Sequence, residues 1–180
     1  METQKAEIGS IRLDDNHVYW RMTPTGEERV AGFSEICLDL GIIKPSPFYT
    51  EEGREIGKAL HMWLTFLAQG KEPTEPPDPR IAGKVEGIRK FLRESEFVFV
   101  GGEEPRYHPT LRYCVTPDLW GIIRDKNVVI DAKSGAALPW HSLQLAAKRL
   151  PLLNSDFRAH KCFSLYLLEG DYRLIDRGCI

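Results

Sequence analysis

The feature that most constrains the fold is a short, wholly apolar strand pattern, Val128-Val129-Ile130, which runs directly into the charged tripeptide Asp131-Ala132-Lys133. A continuous apolar run that follows a turn is typical of a buried strand. Polar side chains are costly to bury without partners, so charged groups at the end of such a strand face a constrained site. The sequence therefore predicts a sheet core with a polar site at its edge.

Helix and strand patterns on either side of this strand predict one α/β domain. Residues 1–15 are expected to be flexible or to form a strand. Ser34 is expected to cap the first short helix, and Pro151 to end the last one. The predicted order is a hairpin over 17–31, helices over 35–40, 50–70 and 80–93, strands over 97–100, 111–123 and 128–133, a helix over 142–150 and a closing hairpin over 162–176.

Composition excludes several classes of protein. The chain has 180 residues, the size of one domain, and a net charge of −2, which excludes a protein that coats nucleic acid by bulk positive charge. No apolar run approaches the roughly 20 residues of a membrane span, and the N-terminal segment does not resemble a signal peptide, so a cytoplasmic location is expected. The four cysteines are widely separated and include no CxxC pair, which argues against a structural zinc site.

Two acidic residues are predicted to meet across a hairpin. Asp118 in Thr116-Pro117-Asp118 and Asp131 fall at comparable points of two adjacent strands, which lie about 4.8 Å apart in a sheet. Carboxylate oxygens suit Mg²⁺ or Mn²⁺. Lys133 is two residues past Asp131, so it points to the same face and could orient a metal-bound water.

The plainer interpretation is surface chemistry, because acid-x-Lys tripeptides are common on solvated strands and Pro-Asp often begins a turn. The buried strand that precedes Asp131 favours a functional site instead.

These residues resemble the signature of the PD-(D/E)XK nuclease superfamily, and the flanking motifs are similar to its RecB-like, phage-type exonuclease branch. The resemblance extends from about residue 16 to 177. It implies a restriction-endonuclease-like core, with a central mixed β-sheet flanked by helices and an N-terminal β-hairpin. The matching motifs are Pro117-Asp118, Asp131-Ala132-Lys133, Gly57 to His61, Glu103-Glu104-Pro105 and the helix residue Gln144.

The resemblance also implies roles for these residues. Asp118 and Asp131 would be the main ligands of Mg²⁺ or Mn²⁺, and Lys133 would position the attacking water. The further roles are a ligand carbonyl at Ala132, a direct or water-mediated ligand at Glu103, a ligand or phosphate contact at His61, and a group that orients Lys133 or the substrate at Gln144. Glu104 is the alternative to Glu103, since neighbouring residues of a strand face opposite ways.

Two positions depart from the branch: Val115 replaces a glycine, and Lys148 replaces an aromatic residue four positions after Gln144. Lys148 is expected to contact phosphate. It belongs to a candidate nucleic-acid-binding set of Arg54, Lys58, Trp140, Lys148 and Arg149. His108, His141 and His160 lie near loops without partner spacing and are interpreted as surface residues.

The resulting hypothesis is a metal-dependent exonuclease that acts on DNA ends in phage-type recombination or repair, as a homo-oligomer or with a recombination partner protein. A structure-selective endonuclease would use the same residues. An inactive nucleic-acid-binding module is the alternative from another class.

Overall fold

A five-stranded mixed sheet forms the centre of the protein in a computed structural model, which describes residues 7–44, 50–153 and 155–178. The two central strands, β8 and β9, run parallel, and every other neighbouring pair is antiparallel. In spatial order the strands are β10 (Tyr172–Asp176), β9 (Lys161–Leu167), β8 (Lys126–Lys133), β7 (Leu119–Ile123) and β4 (Val98–Gly101).

Smaller elements surround this sheet. A three-stranded antiparallel sheet consists of β1 (Ile11–Leu13), β2 (Tyr19–Thr23) and β3 (Gly26–Val30), and a two-stranded ribbon of β5 (Arg106–His108) and β6 (Tyr113–Val115). The helices are α1 (Phe33–Asp39), α2 (Glu51–Ala68), α3 (Ala82–Ser95) and α4 (His141–Leu152). In the described part of the chain, no helix combines the length and the apolar character that a membrane crossing requires.

The side chains of β8 alternate between the two faces of the sheet, and each face packs against its own apolar layer. Val128, Ile130 and Ala132 pack against α2 and α3 in the larger core. Val129 points to the opposite face, where it packs with Leu145 of α4. By the same alternation Asp131 and Lys133 face α4, so the polar end of β8 lies beneath that helix.

Helix α2 forms where its pattern predicts. Thr50 accepts a hydrogen bond of 3.1 Å from the Gly53 N–H, which caps the helix. Its apolar residues at helical spacing, Leu60, Trp63, Leu64 and Leu67, are all buried in the larger core. His61 lies between them in sequence and is half-buried at the edge of that face.

The end of α4 corrects the prediction that Pro151 stops the helix. Pro151 lies inside the helix, which continues to Leu152. A proline cannot donate to the carbonyl four residues earlier, here that of Ala147. The buried Tyr113 hydroxyl donates to the Ala147 carbonyl at 2.7 Å, so β6 supplies the missing hydrogen bond. This contact joins the ribbon to the helix.

The predicted α/β class, central mixed sheet and N-terminal hairpin are confirmed. Besides the end of α4, two local predictions were wrong. The first helix begins at Phe33 after an extended Gly32, one residue before the expected cap Ser34. The single strand expected over 111–123 is divided into β6 and β7, which belong to different sheets, and β5, which pairs with β6, was not predicted. Of residues 1–15, Ile11–Leu13 form β1, and 1–6 lie outside the described residues, as does Cys179.

Candidate active site

The two aspartates meet at one edge of the central sheet. Leu119 of β7 pairs with Ile130 of β8, so Asp118 and Asp131 come next to each other, one step along from this pair. Both carboxylates are buried: Asp131 is 0% exposed and Asp118 is 3% exposed. The Ala132 N–H donates to Asp118 Oδ2 at 2.7 Å, which holds that carboxylate against β8. The predicted juxtaposition is present, and a role for the Ala132 carbonyl stays a prediction.

Lys148 lies between the two aspartates. Its ammonium contacts Asp118 Oδ1 and lies 2.5 Å from Asp131 Oδ1, and the residue is only 4% exposed. This burial contradicts the expectation that Lys148 reaches solvent to contact phosphate. Its position in α4, above the polar end of β8, brings the ammonium to these two carboxylates.

The charges of this cluster shift each other's protonation. Burial by itself would raise the pKa of Asp118, but the positive charges of Lys148, His61 and Lys133 outweigh it and lower the pKa to about 2. Burial by itself would lower the pKa of Lys148, but Asp118 and Asp131 raise it well above the ordinary value. Asp118 and Lys148 are therefore both ionised at neutral pH.

Lys133 and Gln144 form the second part of the site. Lys133 Nζ lies 2.7 Å from Asp131 Oδ2 and donates to Gln144 Oε1 at 2.8 Å. The same ammonium lies 5.9 Å from the centre of the Trp140 ring, within the range of a cation–π contact. The predicted pairing of Gln144 with Lys133 is thus present in the geometry. Trp140 lies against Lys133, so its face is turned to the site.

His61 and Glu103 form the outer part of the site. His61 Nδ1 lies 3.1 Å from Glu103 Oε1 and 3.8 Å from Asp118 Oδ1. The charge of Asp118 is the largest effect on His61 and raises its pKa, against the opposing effect of burial. One atom, Asp118 Oδ1, therefore faces Lys148 on its inner side and His61 on its outer side.

A close backbone approach brings Glu103 to the site. Glu103 lies in the loop after β4, with a positive φ of 54°, and its N–H donates to the Pro117 carbonyl at 2.9 Å. A Cβ on the preceding Gly102 would lie 2.4 Å from the Asp118 carbonyl oxygen, so only glycine allows this approach. Glu104 instead pairs with Arg106 at 2.5 Å. The choice between the two glutamates follows from loop geometry, and the strand alternation assumed for them was wrong.

The residues present fit a divalent cation. Ligand atoms of His61, Glu103 and Asp118 all lie within 4.8 Å of one another. Asp131 Oδ2 is buried and accepts no hydrogen bond from any described residue, although Lys133 Nζ is 2.7 Å away. The carboxylate oxygens suit Mg²⁺ or Mn²⁺, whereas an imidazole is a more typical ligand of transition-metal ions. His61, Glu103 and Asp118 could together hold such an ion, with Asp131 next to Asp118.

A groove of about 680 Å³ opens beside His61 and Glu103. Lys58 and Arg54 line it from α2, about one and two helical turns before His61, respectively. Arg54 is exposed and donates to Glu51 at 3.0 Å, an interaction that an incoming anion could replace at little cost. Arg149 does not line this groove; its Nε donates to the Ala159 carbonyl at 3.2 Å.

A buried histidine was missed by the sequence analysis. His141, expected at the surface, is 3% exposed. Arg177 donates to the Tyr166 hydroxyl at 2.9 Å, and that hydroxyl lies 3.1 Å from His141 Nδ1. Burial, followed by the charge of Lys133, lowers the pKa of His141 to about 4, so its imidazole is neutral. Because its partners lie on β9 and beyond, no local pattern could have revealed it.

No protein-family model matches the chain, and no curated protein matches it significantly.

Proposed function

We propose that this protein is a Mg²⁺- or Mn²⁺-dependent deoxyribonuclease with a restriction-endonuclease-like core, of the PD-(D/E)XK type. The observation that carries the proposal is the convergence of two buried aspartates, a lysine on the same strand face and an outer His–Glu pair around Asp118 Oδ1. A chain selected only for stability gains little from burying so many charges, because their desolvation offsets their attraction.

The residues divide the work of phosphodiester hydrolysis. The cation would be held by Asp118, Asp131, Glu103 and His61. When bound, it would stabilise negative charge on the scissile phosphate and lower the pKa of a bound water. Lys133, oriented by Gln144, would hold the attacking water in line with the phosphorus. The new P–O bond forms as the bond to the 3′ oxygen breaks; the attacking water releases one proton to solvent, and the leaving oxygen takes one proton from solvent. The products are a 5′-phosphate and a 3′-hydroxyl.

The groove beside His61 is the proposed path of the DNA strand. Its cationic side chains, Arg54 and Lys58, would contact the phosphates on the way to the cation. The exonuclease form is preferred because of the resemblance to the phage-type branch; a structure-selective endonuclease would use the same residues. In this proposal it acts as a homo-oligomer or with a recombination partner in phage-type recombination or repair, since no bulk positive charge holds it on DNA.

The test uses linear and covalently closed circular duplex DNA, each with Mg²⁺, Mn²⁺ or EDTA. We expect metal-dependent loss of the linear DNA alone, and no cleavage by Lys133→Ala. The matched control is Lys126→Ala, an exposed lysine at the opposite end of the same strand, which should cleave like the wild type. Cleavage of the circle would indicate an endonuclease. Equal cleavage by wild type and Lys133→Ala would refute the assigned site.

One observation favours the second candidate, a nucleic-acid-binding module without turnover. Lys148 supplies a positive charge between the two aspartates, where a nuclease needs its metal. DNA binding without cleavage under any of the metals would support that module.

A further inference from the structure

The ammonium of Lys148 occupies the position between the two buried carboxylates. It contacts Asp118 Oδ1 and lies 2.5 Å from Asp131 Oδ1. Mg²⁺ binds carboxylate oxygens at about 2.0–2.1 Å. An ion shared by these same two oxygens would therefore lie almost where the nitrogen is, and the two cations cannot occupy the position together.

Lys148 balances the charge of the two buried carboxylates. Two neighbouring carboxylates that are only 0% and 3% exposed are costly to bury unless a positive charge lies between them. Lys148 supplies that charge from within the chain, and a divalent ion would supply twice as much. The protein thus has an internal cation that stabilises the site without metal.

The other hydrogen bonds of the site do not depend on whether the Lys148 ammonium or a metal ion lies between the carboxylates. Asp118 Oδ2 stays bonded to the Ala132 N–H, and Lys133 stays bonded to Gln144, whichever cation contacts the two Oδ1 atoms. Lys148 has a long, flexible side chain, so an incoming ion would need to move the ammonium and not the backbone of α4. The two carboxylates would then keep their orientation.

From this geometry we infer that Lys148 is a built-in competitor for the metal, and that a divalent ion binds between Asp118 and Asp131 only by displacing its ammonium. The inference rests on the proposed metal site. Lys148 is then a positioning residue that sets metal affinity, and it is separate from Lys133, the residue assigned to the attacking water.

The first test measures Mn²⁺ binding by calorimetry, without DNA, in the wild type and in Lys148→Met, which keeps most of the side-chain length and removes the charge. If Lys148 holds the position in more than nine-tenths of molecules, its removal should tighten binding by at least about tenfold. The control is Lys90→Met, which removes an exposed lysine paired with Asp171 at 2.8 Å and should leave the affinity unchanged.

The same variant should be less stable than the wild type in EDTA, because its two buried carboxylates have lost their counterion. Saturating Mn²⁺ should restore its melting temperature. Unchanged or weaker Mn²⁺ binding in Lys148→Met would overturn the inference.

A second measurement needs no variant at position 148 and covers the case that Lys148→Met does not fold. In ¹⁵N-lysine-labelled protein, the buried Lys148 ammonium should give a protected resonance, identified as the one that persists in Lys133→Ala. Mg²⁺ at saturation should abolish or shift it. A resonance unchanged while Mg²⁺ binds would overturn the inference.

The outcomes separate this inference from the proposed function. DNA cleavage by the wild type together with equal Mn²⁺ affinity in both proteins would overturn only the role of Lys148. Absence of metal binding in wild type and variant alike would overturn both. Metal binding by Lys148→Met alone would support the inference. It would also favour the second candidate for the wild type, a nucleic-acid-binding module without turnover.

Discussion

The contact between Tyr113 and α4 allows a quantitative test of how the ribbon supports the helix that carries Gln144 and Lys148. Tyr113→Phe removes the only hydroxyl that reaches the Ala147 carbonyl among the described residues. Because Pro151 has no N–H, that carbonyl would be left buried and unpaired. A buried acceptor without a partner costs about 1–3 kcal/mol, so we expect a loss of about 2 kcal/mol in the free energy of unfolding.

Repeating Tyr113→Phe in a Pro151→Ala background tests whether the missing N–H of Pro151 is the cause of this loss of stability. Alanine supplies an N–H at position 151, which can donate to the Ala147 carbonyl as in any regular helix. There Tyr113→Phe should cost less than about 1 kcal/mol, which gives a coupling of roughly 1 kcal/mol between the two sites. Urea unfolding of the four proteins measures it.

A control tests whether loss of any tyrosine hydroxyl has this effect. Tyr172 donates to the exposed Glu94 at 3.0 Å, and Tyr172→Phe should cost less than about 0.5 kcal/mol because water replaces the partner. An equal cost of Tyr113→Phe with and without Pro151 would refute the proposed compensation.

Two further predictions concern the site. The pKa of His141 is lowered from 6.5 to about 4, so the unfolded chain binds this proton more readily than the folded protein does. The stability that neutral His141 contributes is therefore fully present above pH 6.5 and is lost as the pH falls towards 4. Relative to His141→Gln, the wild type should lose about 2 kcal/mol between pH 7.5 and 5, measured by urea unfolding, and parallel pH profiles would contradict this. For the outer ligands, Glu103→Gln should weaken Mn²⁺ binding by about tenfold or more in calorimetry, whereas Glu104→Gln, paired with Arg106, should not; equal effects would show that Glu103 is not the ligand.

The site combines a preformed cluster of charges with an open groove. Asp118 Oδ1 is shared between an inner lysine and an outer histidine, so the same carboxylate links the interior of the sheet to solvent. If the nuclease proposal holds, metal exchange at this atom would be the step that converts a stable resting cluster into a reactive one.

Much of the site is local in origin and could be predicted from sequence. Asp118, Asp131 and Lys133 belong to one hairpin, and hairpin pairing with its two-residue alternation puts them on one face at one end. His61 lies on a helix whose cap and apolar spacing are both readable in sequence. Turns, caps and periodicity depend on neighbours in the chain, which is why these parts were predicted.

Tertiary structure alone decided the rest. The parallel pairing of β8 with β9 places α4 over the polar end of β8, and this buries Lys148 between the aspartates, where its sequence suggested an exposed phosphate contact. The same packing buries His141 against Tyr166 and lets Tyr113 compensate for Pro151. Each of these contacts joins residues distant in sequence, and a lysine has the same local pattern whether it reaches solvent or a buried carboxylate. Its burial depends on which charges the fold brings within reach, and no local pattern contains that information.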